Sequence, residues 1–62
     1  MKFKLDQRVH YANHFWTING VTAADEKIFA LSLVREIVYD GKAQKAEITV
    51  RGSELSKVGM IA

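Results

Sequence analysis

Asp40-Gly41 sits between two apolar-rich runs, and this dipeptide constrains the chain more than any other feature. A two-residue hairpin turn needs positive φ at both positions, which Asp tolerates and Gly adopts freely. If those two residues form the turn, Tyr39 faces Lys42 and the pairing runs back along Ile28–Val50. It sets Glu36 opposite Lys45, Val34 opposite Glu47 and Ser32 opposite Thr49 on one face. Leu33 then meets Ile48, and Leu31 meets Val50, on the other. Opposite charges, hydroxyls and large apolar groups are matched, as cross-strand pairing favours. Ala46, Ile48 and Val50 alternate with Lys45, Glu47 and Thr49, the pattern of an antiparallel strand with one wet face.

A helical reading competes over the first half of this stretch. Thr22-Ala-Ala-Asp25 has capping-box spacing, with Asp in the place usually held by Glu or Gln. Wound at about 3.6 residues per turn, Phe29, Ala30, Leu31, Leu33, Val34, Ile37 and Val38 cover one broad face. Gly41 could then end the helix. The alternative fold is therefore α+β, a β-hairpin followed by a helix over 23–39 and a strand. The matched register and the content of Ile, Val, Phe and Tyr favour strands.

The rest of the chain extends the β pattern. Met1–Leu5 reads as a strand with Phe3 and Leu5 inward and Lys2 and Lys4 outward, the lysines guarding an edge. Asp6-Gln7 interrupts the alternation, and Arg8–Tyr11 resumes it with Val9 and Tyr11 on one side. Ala12-Asn13-His14 is a turn candidate because Asn accepts left-handed geometry. Phe15–Val21 follows as a strand. Its Asn19-Gly20 could make a second hairpin turn, but a bulge leading into a polar connection, Thr22–Lys27, fits the short flanks better. Arg51-Gly52-Ser53 makes a turn, Glu54-Leu55-Ser56 a tight helical turn that drops Leu55 into the core, and Lys57-Val58 a last short strand. The expected domain is 1–58, with 59–62 a frayed tail.

Three segments resemble small SH3-like β-barrel proteins of bacterial and prophage origin: Phe3-Lys-Leu-Asp-Gln-Arg-Val9, Trp16-Thr-Ile-Asn-Gly-Val21 and Ile48-Thr-Val-Arg-Gly-Ser-Glu-Leu55. The resemblance implies an all-β fold, a small five-stranded antiparallel SH3-like barrel with one short helical turn. The family pattern has Gly before Gln-Arg-Val, where this chain has Asp6. No catalytic or binding residue carries over.

Size and charge narrow the functions. At 62 residues, one domain must fold on a hydrophobic core alone, because there is no Cys for a disulfide or thiolate metal site. Apolar residues at 48% suffice for a core, which argues against disorder. No apolar segment follows the charged start, so no signal peptide is expected. The longest apolar stretch, Ile28–Val34, falls far short of the roughly 20 residues that span a bilayer. A cytoplasmic protein with no membrane partner is the expectation.

No cofactor or catalytic apparatus is expected. His10 and His14 have zinc-binding spacing only if both lie on a helix, and a strand and turn separate them here. Asp25-Glu26 lacks the separated environments that acid/base pairs need. The serines have no nearby base, the four glycines are isolated, and so small a chain rarely encloses a pocket of about 300 Å³. The binding candidates are Arg8, Tyr11, His14 and Trp16, from a cluster that also contains Phe15. Because strand neighbours face opposite ways, one of Phe15 and Trp16 is expected in the core and the other exposed. The expected function is non-catalytic, a module for protein–protein interaction or regulation, with self-association open to it through an exposed strand edge. The alternative is a nucleic-acid-binding barrel using Arg8, Lys42, Lys45, Arg51 and Lys57. A net charge of +2 disfavours that alternative.

Overall fold

The computed structural model describes residues 3–61. Over these residues the chain is all-β apart from one short 3-10 helix. Its strands are β1 (Arg8–Tyr11), β2 (His14–Ala24), β3 (Lys27–Tyr39), β4 (Lys42–Arg51) and β5 (Gly59–Met60), with the 3-10 helix at Gly52–Lys57. They form a single antiparallel sheet in the order β4-β3-β2-β1-β5. The hydrogen-bonded sheet is not closed into a barrel. Its last strand is two residues long and pairs with β1 alone, Val9 with Met60 and His10 with Gly59.

Three successive two-residue turns build the meander. Ala12-Asn13, Asp25-Glu26 and Asp40-Gly41 all have positive φ at both positions, between 51° and 73°. The pairs that flank them are Tyr11–His14, Ala24–Lys27 and Tyr39–Lys42. Positive φ at both residues is the type I′ signature, whose twist matches that of the strands it joins. The β3–β4 register agrees with the sequence expectation at every pair, from Tyr39–Lys42 through Glu36–Lys45 and Leu33–Ile48 to Leu31–Val50.

The helix over 23–39 is therefore not formed. Asp25-Glu26 turns the chain instead of opening a helix, and 27–39 is extended throughout. The expected polar connection Thr22–Lys27 shrinks to those two turn residues, since Thr22–Ala24 and Lys27 belong to strands.

Two irregularities in the β2–β3 ladder decide which side chains reach the core. One shift falls between Ile18 and Gly20 and leaves Asn19 unpaired; the other leaves Phe29 unpaired between Ile28 and Ala30. A bulge residue resets the alternation of faces. Ile18 and Val21, three residues apart, can thus both pack inward. Ile28 packs against the core while Phe29 stays 55% exposed.

The core consists of Phe3, Val9, Trp16, Ile18, Leu31, Leu33, Val50 and Val58, flanked by Tyr11, Val21, Ile28, Ala46, Ile48 and Leu55. Leu55 enters from the 3-10 helix as expected. Glu54 and Lys57 on that helix form an exposed ion pair at 2.8 Å. The last strand lies at Gly59–Met60 rather than Lys57-Val58: Lys57 completes the helix, Val58 drops into the core, and the paired Gly59 and Met60 are part of the sheet and not of a tail.

The entry differs from the expected strand over Met1–Leu5, of which Met1 and Lys2 lie outside the described residues. Phe3 is buried as expected, but Leu5 is exposed. Lys4–Gln7 forms a turn, with Gln7 N–H donating to the Lys4 carbonyl at 3.3 Å and Lys4 N–H to Gln7 Oε1 at 3.0 Å. Asp6 N–H donates to the Ile18 carbonyl, and Ile18 N–H to the Gln7 carbonyl, both at 2.9 Å. Two residues thus oppose one, with Asp6 at φ 66°. This is the G1-type bulge, in which Gly normally fills the left-handed position. Asp6 fills that left-handed position here.

Leu33 is fully buried, so Leu33→Ala should destabilise the protein by about 2–5 kcal/mol. In a domain this small that loss approaches the whole folding free energy. Glu26→Gly should stabilise it by about 0.5–1 kcal/mol, because Glu26 holds φ 65° that costs a side-chain-bearing residue more than Gly. Urea titrations check both. An unchanged midpoint for Leu33→Ala would contradict the assigned core, and a lower midpoint for Glu26→Gly would contradict the turn.

Candidate functional site

The β2–β3 ladder ends at Thr17–Val34, although β2 begins at His14 and β3 continues to Tyr39. Beyond that pair the two strands diverge. His14–Trp16 goes with β1, while Arg35–Tyr39 goes with β4 as a two-stranded arm. The fork between them opens onto a groove of about 630 Å³. The β1–β2 hairpin lines it with Arg8, Asn13, His14, Phe15 and Thr17, and the β3–β4 hairpin with Val34, Arg35, Glu36 and Lys45.

Alternation of faces settles the aromatic pair. Val9 pairs with Trp16 and His10 with Phe15. Trp16 therefore shares the inner face with Val9 and is buried, while Phe15 shares the outer face with His10 and is 57% exposed. The Trp16 indole Nε1–H donates to the Tyr11 carbonyl at 2.8 Å, which satisfies its buried polar group. The Phe15 and His10 rings meet edge to face at 5.2 Å.

Of the residues expected in a site, Arg8 and His14 line the groove. Arg8 stands opposite Thr17 on the outer face, and His14 sits at the start of β2 with its ring 6.3 Å from that of Trp16. Tyr11 is half-buried against the core, and Trp16 is part of it, so neither lines the groove. The exposed aromatic is Phe15. The sequence held the means to identify it: a two-residue Ala12-Asn13 turn pairs Val9 with Trp16, and Val9 is inward.

Arg35 is a groove residue that sequence reasoning missed. By register with Ala46 it belongs to the inner face, in line with Leu33. It caps the open end of the core, with its guanidinium carbon 5.3 Å from the centroid of the Trp16 ring. A cation over an indole face is favourable, more so when partly shielded from water. Its Nε is out of solvent and has no hydrogen-bond partner among the described residues.

His10 and His14 project from different strands on opposite faces. Among the described residues no three His, Cys, Asp or Glu side chains stand together in a way that could hold a metal ion. A second, more apolar recess of about 450 Å³ lies where Phe3, Lys4 and Leu5 meet Val21 and Ala23. Among the described residues no helix is long and apolar enough to cross a membrane. No family model, curated protein or solved structure matches the chain.

The two neighbouring aromatics should respond differently to truncation. Phe15→Ala should change stability by no more than about 0.5 kcal/mol, as for other exposed side chains. Trp16→Ala should cost about 3–5 kcal/mol, which approaches the whole folding free energy of a small domain. Thermal melts of the two variants check the facing. Equal losses would place both rings in the core.

Proposed function

We propose that the protein is a non-catalytic binding module whose groove takes a short segment of a protein partner. The exposed Phe15, set at the fork between the two hairpins, carries the reading. An exposed aromatic braced by a neighbouring ring offers apolar area at low entropic cost, and such residues are enriched among binding hot spots.

The charges refine the class of partner. Arg8, Arg35 and Lys45 line the groove against one carboxylate, Glu36. An acidic segment with an apolar anchor complements that lining. The open edge of β3 at Arg35–Tyr39 could pair with the backbone of an extended segment, a common mode of peptide recognition. The SH3-like resemblance belongs to the same reading, supported by the five-stranded order in which β5 returns beside β1.

The rival reading is a nucleic-acid-binding surface on the same face, with Phe15 as a stacking platform beside Arg8. Glu36 in the groove and Glu47 next to it oppose a phosphate backbone. A tracking surface gains from each neutralised phosphate through counterion release, and carboxylates subtract from that gain.

Selection from a library of random extended peptides, followed by fluorescence titration, tests the proposal. The expected result is enrichment of acidic sequences with an apolar anchor, whose affinity falls about tenfold or more on Phe15→Ala and falls also on Arg8→Ala. Parallel titrations with short single- and double-stranded DNA and RNA at low salt should show only weak binding. Tight nucleic-acid binding that weakens steeply with salt and is lost on Phe15→Ala or Arg8→Ala would reverse the ranking.

A further inference from the structure

β4 is the edge of the sheet, and among the described residues no strand pairs with its outer side. It runs ten residues and keeps an unbroken register with β3. Proteins usually blunt such an edge with proline, a bulge or lysine, because its free N–H and C=O groups are a template for another strand. The chain has no proline, β4 has no bulge, and the guard at mid-strand is Lys45.

We infer that the outer edge of β4 pairs antiparallel with β4 of a second copy of this chain, about a two-fold axis at Ala46. The inference does not rest on the groove reading. Hydrogen-bond phase restricts the register first. The type I′ turn closes on a hydrogen-bonded Tyr39–Lys42 pair, so even-numbered β4 residues bond to β3 and odd-numbered ones direct their backbone groups outward. Two copies can then bond only by pairing odd residues with odd. Even residues pair with even, and inner face continues as inner face.

Charge and length of overlap choose among the registers that remain. Centred on Ala46, Lys45 meets Glu47 of the second copy and Glu47 meets its Lys45. Centring on Lys45 or Glu47 sets like charges opposite each other, and centring on Ile48 sets Lys45 against Arg51. Centring on Thr49 also sets opposite charges together, Glu47 against Arg51, but joins only 47–51, whereas centring on Ala46 joins 42–50. The Ala46 register therefore turns the guarding lysine into a partner. It also extends pairs already present within the chain, since Lys45 faces Glu36 and Glu47 faces Val34 across β3. Across the joined outer face a row would read Glu36, Lys45, Glu47, Val34, and the next row its reverse. On the inner face the two Ala46 methyl groups would meet at the axis.

The chain contains no cysteine, so a single introduced thiol reports the register. At the axis Ala46 would form a non-hydrogen-bonded pair with its own copy, with Cα atoms about 4.5 Å apart, within disulfide reach. The two Ala43 positions would be about 20 Å apart. Under mild oxidation over a concentration series, Ala46→Cys should form covalent dimer at least about tenfold faster than Ala43→Cys. Adding Lys45→Glu should slow it about tenfold, and adding Lys45→Glu with Glu47→Lys should restore it. Sedimentation of the unmodified chain should show a monomer–dimer equilibrium, and an equimolar mixture of labelled and unlabelled chain should give intermolecular contacts between Lys45 and Glu47. Equal cross-linking at both positions, a dimer that Ala46→Cys fails to trap, or a monomer at about millimolar concentration would overturn the inference.

Discussion

Closure of each hairpin by two consecutive residues in the left-handed region is the constraint on which this sheet depends. Three such turns occur between Ala12 and Gly41, and only Asp40-Gly41 has glycine in the second position. Ala12, Glu26 and the others hold conformations that cost a side-chain-bearing residue roughly 1–2 kcal/mol. The cost is offset because a two-residue turn fixes the register, and a one-residue slip would move every core side chain to the solvent face. With so small a core, no slipped arrangement could bury enough apolar surface to compete.

Turns alone would not produce this core. Strict alternation along β2 would place Val21 on the face opposite Ile18, and along β3 it would bury Phe29 at the expense of Ile28. Each is corrected by one unpaired residue, Asn19 in one strand and Phe29 in the other. Gly20, next to the first bulge, lies close to its partner: a Cβ built there would stand 3.3 Å from Ser32 Cβ. A larger residue at that point would press on the ladder where it bends. The bulge and the missing side chain together explain why Asn19-Gly20 occurs inside a strand and not at a turn.

The sequence made some of this architecture readable and hid the rest, for physical reasons. The β3–β4 register was legible because turn chemistry and polarity specify it independently and agree. The Asn19 bulge was legible because an Asn-Gly turn there would leave strands too short to pair. The Asp25-Glu26 turn was hidden because Glu at the second position does not favour positive φ, so Thr22–Lys27 read as a loop and 23–39 kept its helical alternative. The bulge at Phe29 had no local signal at all. At the entry, Leu5 alternates correctly with Phe3, but the Asp6 bulge breaks the strand before that alternation matters. In the candidate site, Arg8, His14 and an exposed aromatic were legible, whereas Arg35 was not. An arginine on the inner face makes sense only once β3 is seen to outrun β2 and leave Trp16 uncovered.

The divergence of β3 from β2 gives the molecule its asymmetry: a packed body, and a two-stranded arm that extends the long axis to 43 Å. A two-stranded arm is marginal by itself in water. Its exposed Val38 and Tyr39, its open edges and the groove at its base are the surface that the proposed partner segment would cover. All of them follow from the β3–β4 register. Nuclear Overhauser contacts between backbone Hα protons of non-hydrogen-bonded pairs report that register directly. Strong contacts are predicted for Val38–Ala43, Glu36–Lys45 and Val34–Glu47. Contacts displaced by one residue, or helical contacts across 25–38, would contradict the account.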